Sequence, residues 1–283
     1  MDIVQRFLFD ELDIRGALVQ LGPTWRQMQH GRSYDPAVQA LLGEMAAVTT
    51  IIAANLKRPG RITFQLSGHG AVPLLVIDCS EQLNLRGFAH TAGTITGTSV
   101  SELLGDGRLL LSLDTEGLPQ PYQSYVPLEG ETIAKVFESF LRQSEQAPSA
   151  LFLAADGDNA AGLFLQKLPG SDEKDADGWT RVTGLAQTVT AGELLSLDAT
   201  VVLTRLFHEE TVRVFDPVPV THNFPPNWDK VRTTLRALGR EEIESIIAEH
   251  GEVLVRDDLS NHDYRFTAEE ALALFDQSPP TLH

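Results

Sequence analysis

The chain has 283 residues and carries 22 Lys and Arg against 39 Asp and Glu, which gives a formal net charge of −17. This acidity argues against binding to nucleic acid or to an anionic membrane surface, because both require clustered Lys and Arg. The single cysteine, Cys79, excludes an intrachain disulfide and any site built from several thiolates. The length predicts about two domains. The first ten residues contain no apolar signal-peptide core, so we expect a cytoplasmic protein.

The most apolar stretch runs from Pro36 to Lys57, and its pattern predicts a helix. Asp35 is a favourable N-cap residue ahead of it, and proline fits the first helical position. Its length would also just span a bilayer. Glu44, Asn55 and many small residues favour a buried core helix instead. Apolar residues recur in it at spacings of three and four, namely Leu41, Met45, Val48, Ile52 and Leu56.

Strands dominate the remainder of the first 168 residues. Alternating or β-rich runs between Gly, Pro and Asp turns predict strands over 61–66, 72–79, 84–89, 108–113, 150–154 and 161–166. Residues 131–143 have one apolar face and are predicted to form a covering helix. The turn residues Asp156 to Asn159 should join the last two strands into a hairpin.

Composition changes at Pro169, where a polar, acidic run to Gly178 has the character of a linker. Beyond this run, residues 191–206 are predicted to be one helix and residues 212–215 a short strand. The last 60 residues predict helices over 230–238 and 240–250, a hairpin of 253–255 with 264–266, and a final helix opened by the capping box Thr267 to Glu270. The sequence therefore divides into three parts, 1–168, 169–222 and 223–283.

Three motifs resemble known sites, but each lacks an essential residue. His208-Glu-Glu210 begins like a zinc-protease helix, but Val212 stands where the second histidine is required. Asp156 to Asn159 has the first ligands of a calcium loop without the later ones. Gly105 to Gly107 is not followed by the Lys and Ser or Thr of a phosphate loop. Turns or an exposed helix end explain all three.

The remaining candidates are isolated side chains. Ser144 lies near a helix end without the glycines of a nucleophile elbow, and Cys79 follows an aspartate that disfavours its thiolate. Asp257, Asp258 and His262 could bind a divalent ion loosely, but residues of this kind are more typical of a hairpin loop. We therefore predict no catalytic residue, no cofactor-binding residue and no metal ligand.

A set of short motifs covers nearly the whole chain in a fixed order. They are Asp13 to Gly16, Leu18 to Leu21, Leu42 to Glu44, Gln65 to Gly68, Leu85 to Gly87, Val126 to Gly130, Ser144 to Gln146, Glu193 to Leu195, Arg205 to Glu210, Gly239 to Glu249 and Tyr264 to Phe266. Together they resemble the 33-kDa heat-shock chaperone family, the bacterial redox-regulated holdases. One small departure is Ser124, where the family pattern has glycine.

The resemblance implies an α+β fold with a strand-rich N-terminal domain and covering helices, a helical middle segment and a small αβ C-terminal domain. It also implies a homodimer that binds unfolded or misfolded client proteins without ATP. In the family, a Cys-x-Cys and a Cys-x-x-Cys hold one Zn²⁺. Counting along this chain places Phe224 and Pro226 on the first pair, and Asp257 and Ser260 on the second.

Phenylalanine and proline have no metal-ligating side-chain atom, and a structural zinc site requires about four ligands. We therefore predict a C-terminal domain without zinc and without a thiol switch, and we expect it to be the most heat-labile part of the chain. Apolar side chains should replace the metal there, and the candidates are Phe224, Trp228, Leu259 and Phe266.

Three functions remain open from the sequence. The leading hypothesis is an ATP-independent holdase triggered by heat, or constitutively active, but insensitive to oxidation. The alternative is a dedicated protein-interaction module on the same fold without general chaperone activity. The third is an enzyme that uses Ser144, Asp257, Asp258 or His262, for which the residues supply no complete site.

Overall fold

A computed structural model describes residues 2–115, 117, 120–126 and 128–276. The strands are β1 (Ile3–Phe9), β2 (Ile14–Leu21), β3 (Gly60–Ser67), β4 (Leu74–Cys79), β5 (Leu85–His90), β6 (Arg108–Thr115), β7 (Tyr122–Val126), β8 (Ser149–Ala155), β9 (Ala160–Lys167), β10 (Val212–Val214), β11 (Val218–Pro219), β12 (Glu252–Asp257) and β13 (His262–Thr267). The helices are α1 (Pro23–Met28), α2 (Pro36–Ala54), α3 (Val100–Leu104), α4 (Ile133–Glu145), α5 (Ser171–Lys174), α6 (Gly178–Ala186), α7 (Ala191–Ser196), α8 (Ala199–Leu206), α9 (Trp228–Leu238), α10 (Arg240–His250) and α11 (Ala268–Asp276). The predicted α+β fold is confirmed.

The chain folds into two compact units, one ending at Asn223 and the other beginning at Phe224. The predicted middle part, residues 169–222, packs within the first unit, where it adds strands β10 and β11 to strand β1. The division of the sequence into 1–168, 169–222 and 223–283 stays a prediction about its organisation.

The first sheet of the first unit has the strand order β10-β1-β2-β9-β8, with β11 also pairing β1, and all of its pairs are antiparallel. Phe7 of β1 lies opposite Gly16 of β2. The Phe7 ring covers this glycine so closely that a Cβ atom there would lie 2.1 Å from the ring. The close approach of the ring to the backbone therefore requires glycine at position 16.

The second sheet has the order β5-β4-β3-β6-β7 and is also antiparallel. Helix α2 packs against strands of both sheets, and α4 completes the same apolar core. Phe64 of β3 and Phe137 of α4 meet edge to face at 4.9 Å. Helix α2 is apolar and long enough to cross a membrane by length and composition, but 67% of its most apolar window is buried inside the protein. It is therefore a core helix, as predicted.

The other face of the first sheet is covered by the middle segment. Helices α6, α7 and α8 pack there on strands β1, β2, β8 and β9. The single helix predicted over 191–206 is wrong, because Leu197 and Asp198 adopt extended backbone and Asp198 begins a new helix. The predicted linker at 169–178 contains the short helix α5, whose Ser171 is buried.

The second unit contains α9, α10, the β12–β13 hairpin and α11, as the sequence predicts. The capping box is confirmed, because the Glu270 carboxylate accepts from the Thr267 amide at 2.9 Å while the Thr267 hydroxyl accepts from the Glu270 amide at 3.2 Å. These elements enclose an apolar core of their own, formed by Val231, Leu235, Ile243, Val253, Tyr264, Phe266, Ala271 and Leu274.

Candidate functional site

The positions that correspond to zinc ligands in the resemblance lie in the second unit. The Phe224 and Pro226 side chains have no donor atom, and the Phe224 carbonyl oxygen is bonded by the ring of His262. Asp257 already accepts a hydrogen bond of 3.1 Å from the Ser260 amide, and Ser260 is buried. Two oxygen-bearing side chains do not fit a structural zinc ion that needs about four ligands.

The hairpin end is instead organised around Arg256. Its guanidinium contacts the Asp263 carboxylate at 2.9 Å, the Asp258 carboxylate at 3.3 Å and the Asn261 side chain at 2.5 Å. Asp257 and His262 form the last cross-strand pair. Within the described part of the chain, no group of three His, Cys, Asp or Glu side chains is arranged to hold a metal ion.

An aromatic cluster connects helix α9 to the hairpin. The Trp228 ring meets Tyr264 edge to face at 5.0 Å and Phe266 at 5.5 Å. Of the four residues predicted to replace the metal, Phe266 belongs to the apolar core, Trp228 is 39% exposed, and Phe224 and Leu259 are half-buried. Tyr264, which the sequence analysis did not select, is 2% exposed and lies at the centre of the cluster.

A second surface of interest is the face of the first sheet beneath α6, α7 and α8. Phe207, just after α8, packs edge to face on Phe9 at 5.0 Å and contacts the Phe7 ring at 6.2 Å. Leu194, Val202 and Leu206 are buried here, and Leu195 packs against the same core. The helices and the sheet thus hide two complementary apolar faces from water.

Polar contacts are also made by this cover. The side-chain amide of Gln20 donates a hydrogen bond to the carbonyl oxygen of Leu197 at 2.5 Å. Arg181 of α6 bonds the Glu210 carboxylate at 2.6 Å and the Asp175 carboxylate at 2.8 Å, which joins parts of the middle segment to one another. These ion pairs do not reach the sheet, so apolar burial is the main force that holds the helices on it.

Comparisons with known proteins identify the family. The family described as Hsp33 protein matches residues 2–267. The 33 kDa chaperonin of Nitrosococcus oceani is 41% identical over 274 residues, covering 97% of this chain and 94% of the relative. The chain belongs to the Hsp33 family. The 33 kDa chaperonin of Chromobacterium violaceum is 40% identical over 277 residues, with 97% and 94% coverage.

The fold agrees with that family. A crystal structure of the 33 kDa chaperonin of Thermotoga maritima has a TM-score of 0.80 over 97% of this chain and 98% of that chain, at 20% identity. Membership of the Hsp33 family makes this protein a chaperone rather than an enzyme, as the sequence analysis predicted.

The other sequence candidates have structural roles in this Hsp33 chain. His208 and Glu209 are exposed in the segment after α8, and Glu210 pairs with Arg181. Asp156 forms the β8–β9 turn, where its carboxylate accepts from the amides of Asp158 and Asn159, both at 2.8 Å. Residues 105–107 connect α3 to β6.

Ser144 and Cys79 differ in their exposure to solvent. Ser144 lies in the last turn of α4, beside a cavity of about 630 Å³ that Leu113, Leu141 and Phe164 also line. Cys79 is fully buried at the end of β4, and burial together with the neighbouring Asp78 raises the pKa of its thiol to about 12. The nucleophilic thiolate is therefore scarce at neutral pH.

One unusual carboxyl group was not selected from the sequence. Glu44 of α2 is half-buried, and burial raises the pKa of its carboxyl to about 7. It lines a groove of about 560 Å³ together with Lys135, Glu138 and residues of β8. The apolar neighbours of Glu44 in the sequence hinted at burial, but the groove depends on distant elements.

Proposed function

We propose that this chain is an ATP-independent holdase that binds unfolded or misfolded proteins and prevents their aggregation. The observation that carries the proposal is the covered apolar face of the first sheet. Helices α6 to α8 lie over Phe7, Phe9 and their neighbours, chiefly through apolar contacts. Detachment of the helices would present two large apolar surfaces to a client, as a holdase requires.

Heat, rather than oxidation, is the trigger that this chemistry favours. Helices that are held by apolar packing without a metal can detach by local unfolding. The free energy of local unfolding is smaller than that of global unfolding. The single thiol is buried, with its pKa at about 12, and residues 224, 226, 257 and 260 offer no zinc ligand set. The proposed holdase is therefore zinc-free and insensitive to oxidants.

The net charge of −17 supports this role, because it keeps a chain with exposed apolar surface soluble. We further propose that the protein acts in the cytoplasm as a homodimer and has neither nucleic-acid nor membrane partners, as the acidic composition and the resemblance imply.

Light scattering from a heat-unfolding model enzyme tests the proposal. Adding the purified chain without ATP should suppress aggregation, and pretreating the chain with peroxide should leave the suppression unchanged. A gain of activity after peroxide would overturn the redox-insensitive part. Aggregation that proceeds unchanged at every temperature and stoichiometry would overturn the holdase function and favour a module with one dedicated partner.

A further inference from the structure

Strand β8 forms an open edge of the first sheet. Its one hydrogen-bonded neighbour among the described strands is β9. Lys167 donates to the carbonyl of Pro148 at 3.0 Å, and Asp156 donates to the carbonyl of Asn159 at 2.9 Å. Even-numbered residues of β8 therefore face β9, while the amides and carbonyls of Ser149, Leu151, Leu153 and Ala155 point away from the sheet.

The groove of about 560 Å³ runs along this edge. Residues 149–153 form its floor. On one side lie Ala134 and Lys135 of α4, and on the other side lie Trp179, Val189 and Leu194 of the middle segment. An extended polypeptide in this groove would hydrogen-bond the outward backbone groups and place alternate side chains against the two walls.

One side chain already occupies a hydrogen-bonding position at this edge. The Glu138 carboxylate accepts from the amide of Leu151 at 2.9 Å, and its other oxygen contacts the Lys135 ammonium at 2.7 Å. This carboxylate therefore lies where the carbonyl of an added strand would bind. Charged groups at an open edge oppose uncontrolled strand pairing.

We propose that the β8 edge is a client-docking site, at which an extended segment of an unfolded protein adds as a strand and displaces Glu138 from Leu151. This inference rests on the holdase function and specifies a docking site that exists while α6 to α8 remain in place. The occupant is an extended backbone, because a row of alternating amides and carbonyls is complementary to another strand. The side chains of a client need only be uncharged and partly apolar, which suits a chaperone with many clients.

The variant Glu138→Ala tests the proposal by removing the competing acceptor. The probe is a fluorescein-labelled heptapeptide of alternating threonine and valine, with binding to the full chain followed by anisotropy. We expect Glu138→Ala to lower the Kd of the peptide about tenfold, since the hydrogen bond to a charged group no longer has to be broken. Glu138→Gln retains a neutral acceptor and should give a smaller decrease.

Two controls identify the edge. Glu249→Ala removes an exposed carboxylate of helix α10, outside the groove, so its effect on Kd should stay within about twofold. The same heptapeptide with alternate amides N-methylated cannot pair as a strand and should bind at least about tenfold more weakly. Hydrogen exchange should show new protection of residues 149–155 when the unmodified peptide binds.

Light-scattering assays run alongside the binding measurements distinguish failure of the edge proposal from failure of the holdase function. Suppressed aggregation with equal binding of the methylated peptide, or with residues 149–155 unprotected, would overturn the edge proposal and leave the holdase function standing. If Glu138→Ala forms a larger assembly than the unaltered chain, with residues 149–155 protected in the absence of peptide, the occupant is a second copy and the client proposal is wrong. Tight, methylation-sensitive peptide binding without suppression would overturn the holdase function while the edge remains a docking site.

Discussion

The phenol oxygen of Tyr264 accepts a hydrogen bond of 2.8 Å from the backbone amide of Asn227, the N-cap residue of helix α9. This bond joins the hairpin to the segment before α9, which are the two parts of the chain that carry the zinc ligands in the family resemblance. A protein hydrogen bond and edge-to-face ring contacts therefore connect the parts that a metal would otherwise connect.

The variant Tyr264→Phe should weaken the second unit by about 1 kcal/mol, because it removes one hydrogen bond while leaving the ring in place. Trp228→Ala should cost more, about 2–3 kcal/mol, since contacts with two rings are lost together with apolar burial. Hydrogen exchange of residues 228–238 measures both effects. The surface variant Leu254→Ala, at a position that is 51% exposed, is the matched control and should change little.

Chelator and oxidant should leave the second unit unchanged. Since residues 224, 226, 257 and 260 do not fit a zinc ion, strong chelation should neither accelerate hydrogen exchange in 224–276 nor lower its melting temperature. Peroxide should likewise have no effect, because Cys79 is buried in the first unit. Stoichiometric zinc in the purified protein, or melting that depends on chelator, would contradict this prediction.

The packing of Phe207 should control exposure of the client surface. Phe207→Ala removes a buried ring from Phe7 and Phe9 and should loosen the middle helices by about 3–5 kcal/mol. We expect aggregation to be suppressed at a lower temperature than for the unaltered chain, with increased binding of an apolar dye. Val201→Ala on α8, where the side chain is 43% exposed, should leave both measurements unchanged.

Glu44 should make stability depend on pH near neutrality. Its pKa is raised from 4.5 to about 7, so the folded chain favours the neutral carboxyl and loses stability as the pH rises through this interval. Glu44→Gln should therefore be more stable than the unaltered chain by up to roughly 3 kcal/mol at about pH 8, and the difference should vanish below about pH 4.5. Urea unfolding at several pH values measures this; a difference that is constant with pH would contradict the assignment.

Local pattern predicted much of the fold, and its failures have physical causes. The alternation in 61–66 and the capping box at Thr267 each belong to an element with one solvent-exposed side. Both predictions were confirmed. Strands β1 and β2 were missed because apolar cores cover both faces of their sheet, so their sequences do not alternate. The pairing of β1 with β10 joins residues more than 200 positions apart, a contact that no local window contains.

The candidate sites likewise include features that residue type predicts and features that only the fold creates. Counting from motifs assigned positions 224, 226, 257 and 260 to the zinc ligands of the resemblance, and this assignment stays a prediction. The role of Tyr264 depends on the ring of Trp228 and on the amide of Asn227, which only folding brings together. The open edge of β8 and the bond from Leu151 to Glu138 likewise arise from strand order, which the sequence pattern did not predict.

The late partners of β1 have a consequence for synthesis on the ribosome. Strand β2 is available to β1 almost at once, but β10 and β11 are translated about 190 residues later. At roughly 5–20 residues per second, the other side of β1 waits about 10–40 s for its partners. During this interval the nascent chain itself exposes one unpaired edge of β1 and an uncovered apolar sheet, so this chaperone passes through the same aggregation-prone state as the proteins it is proposed to protect.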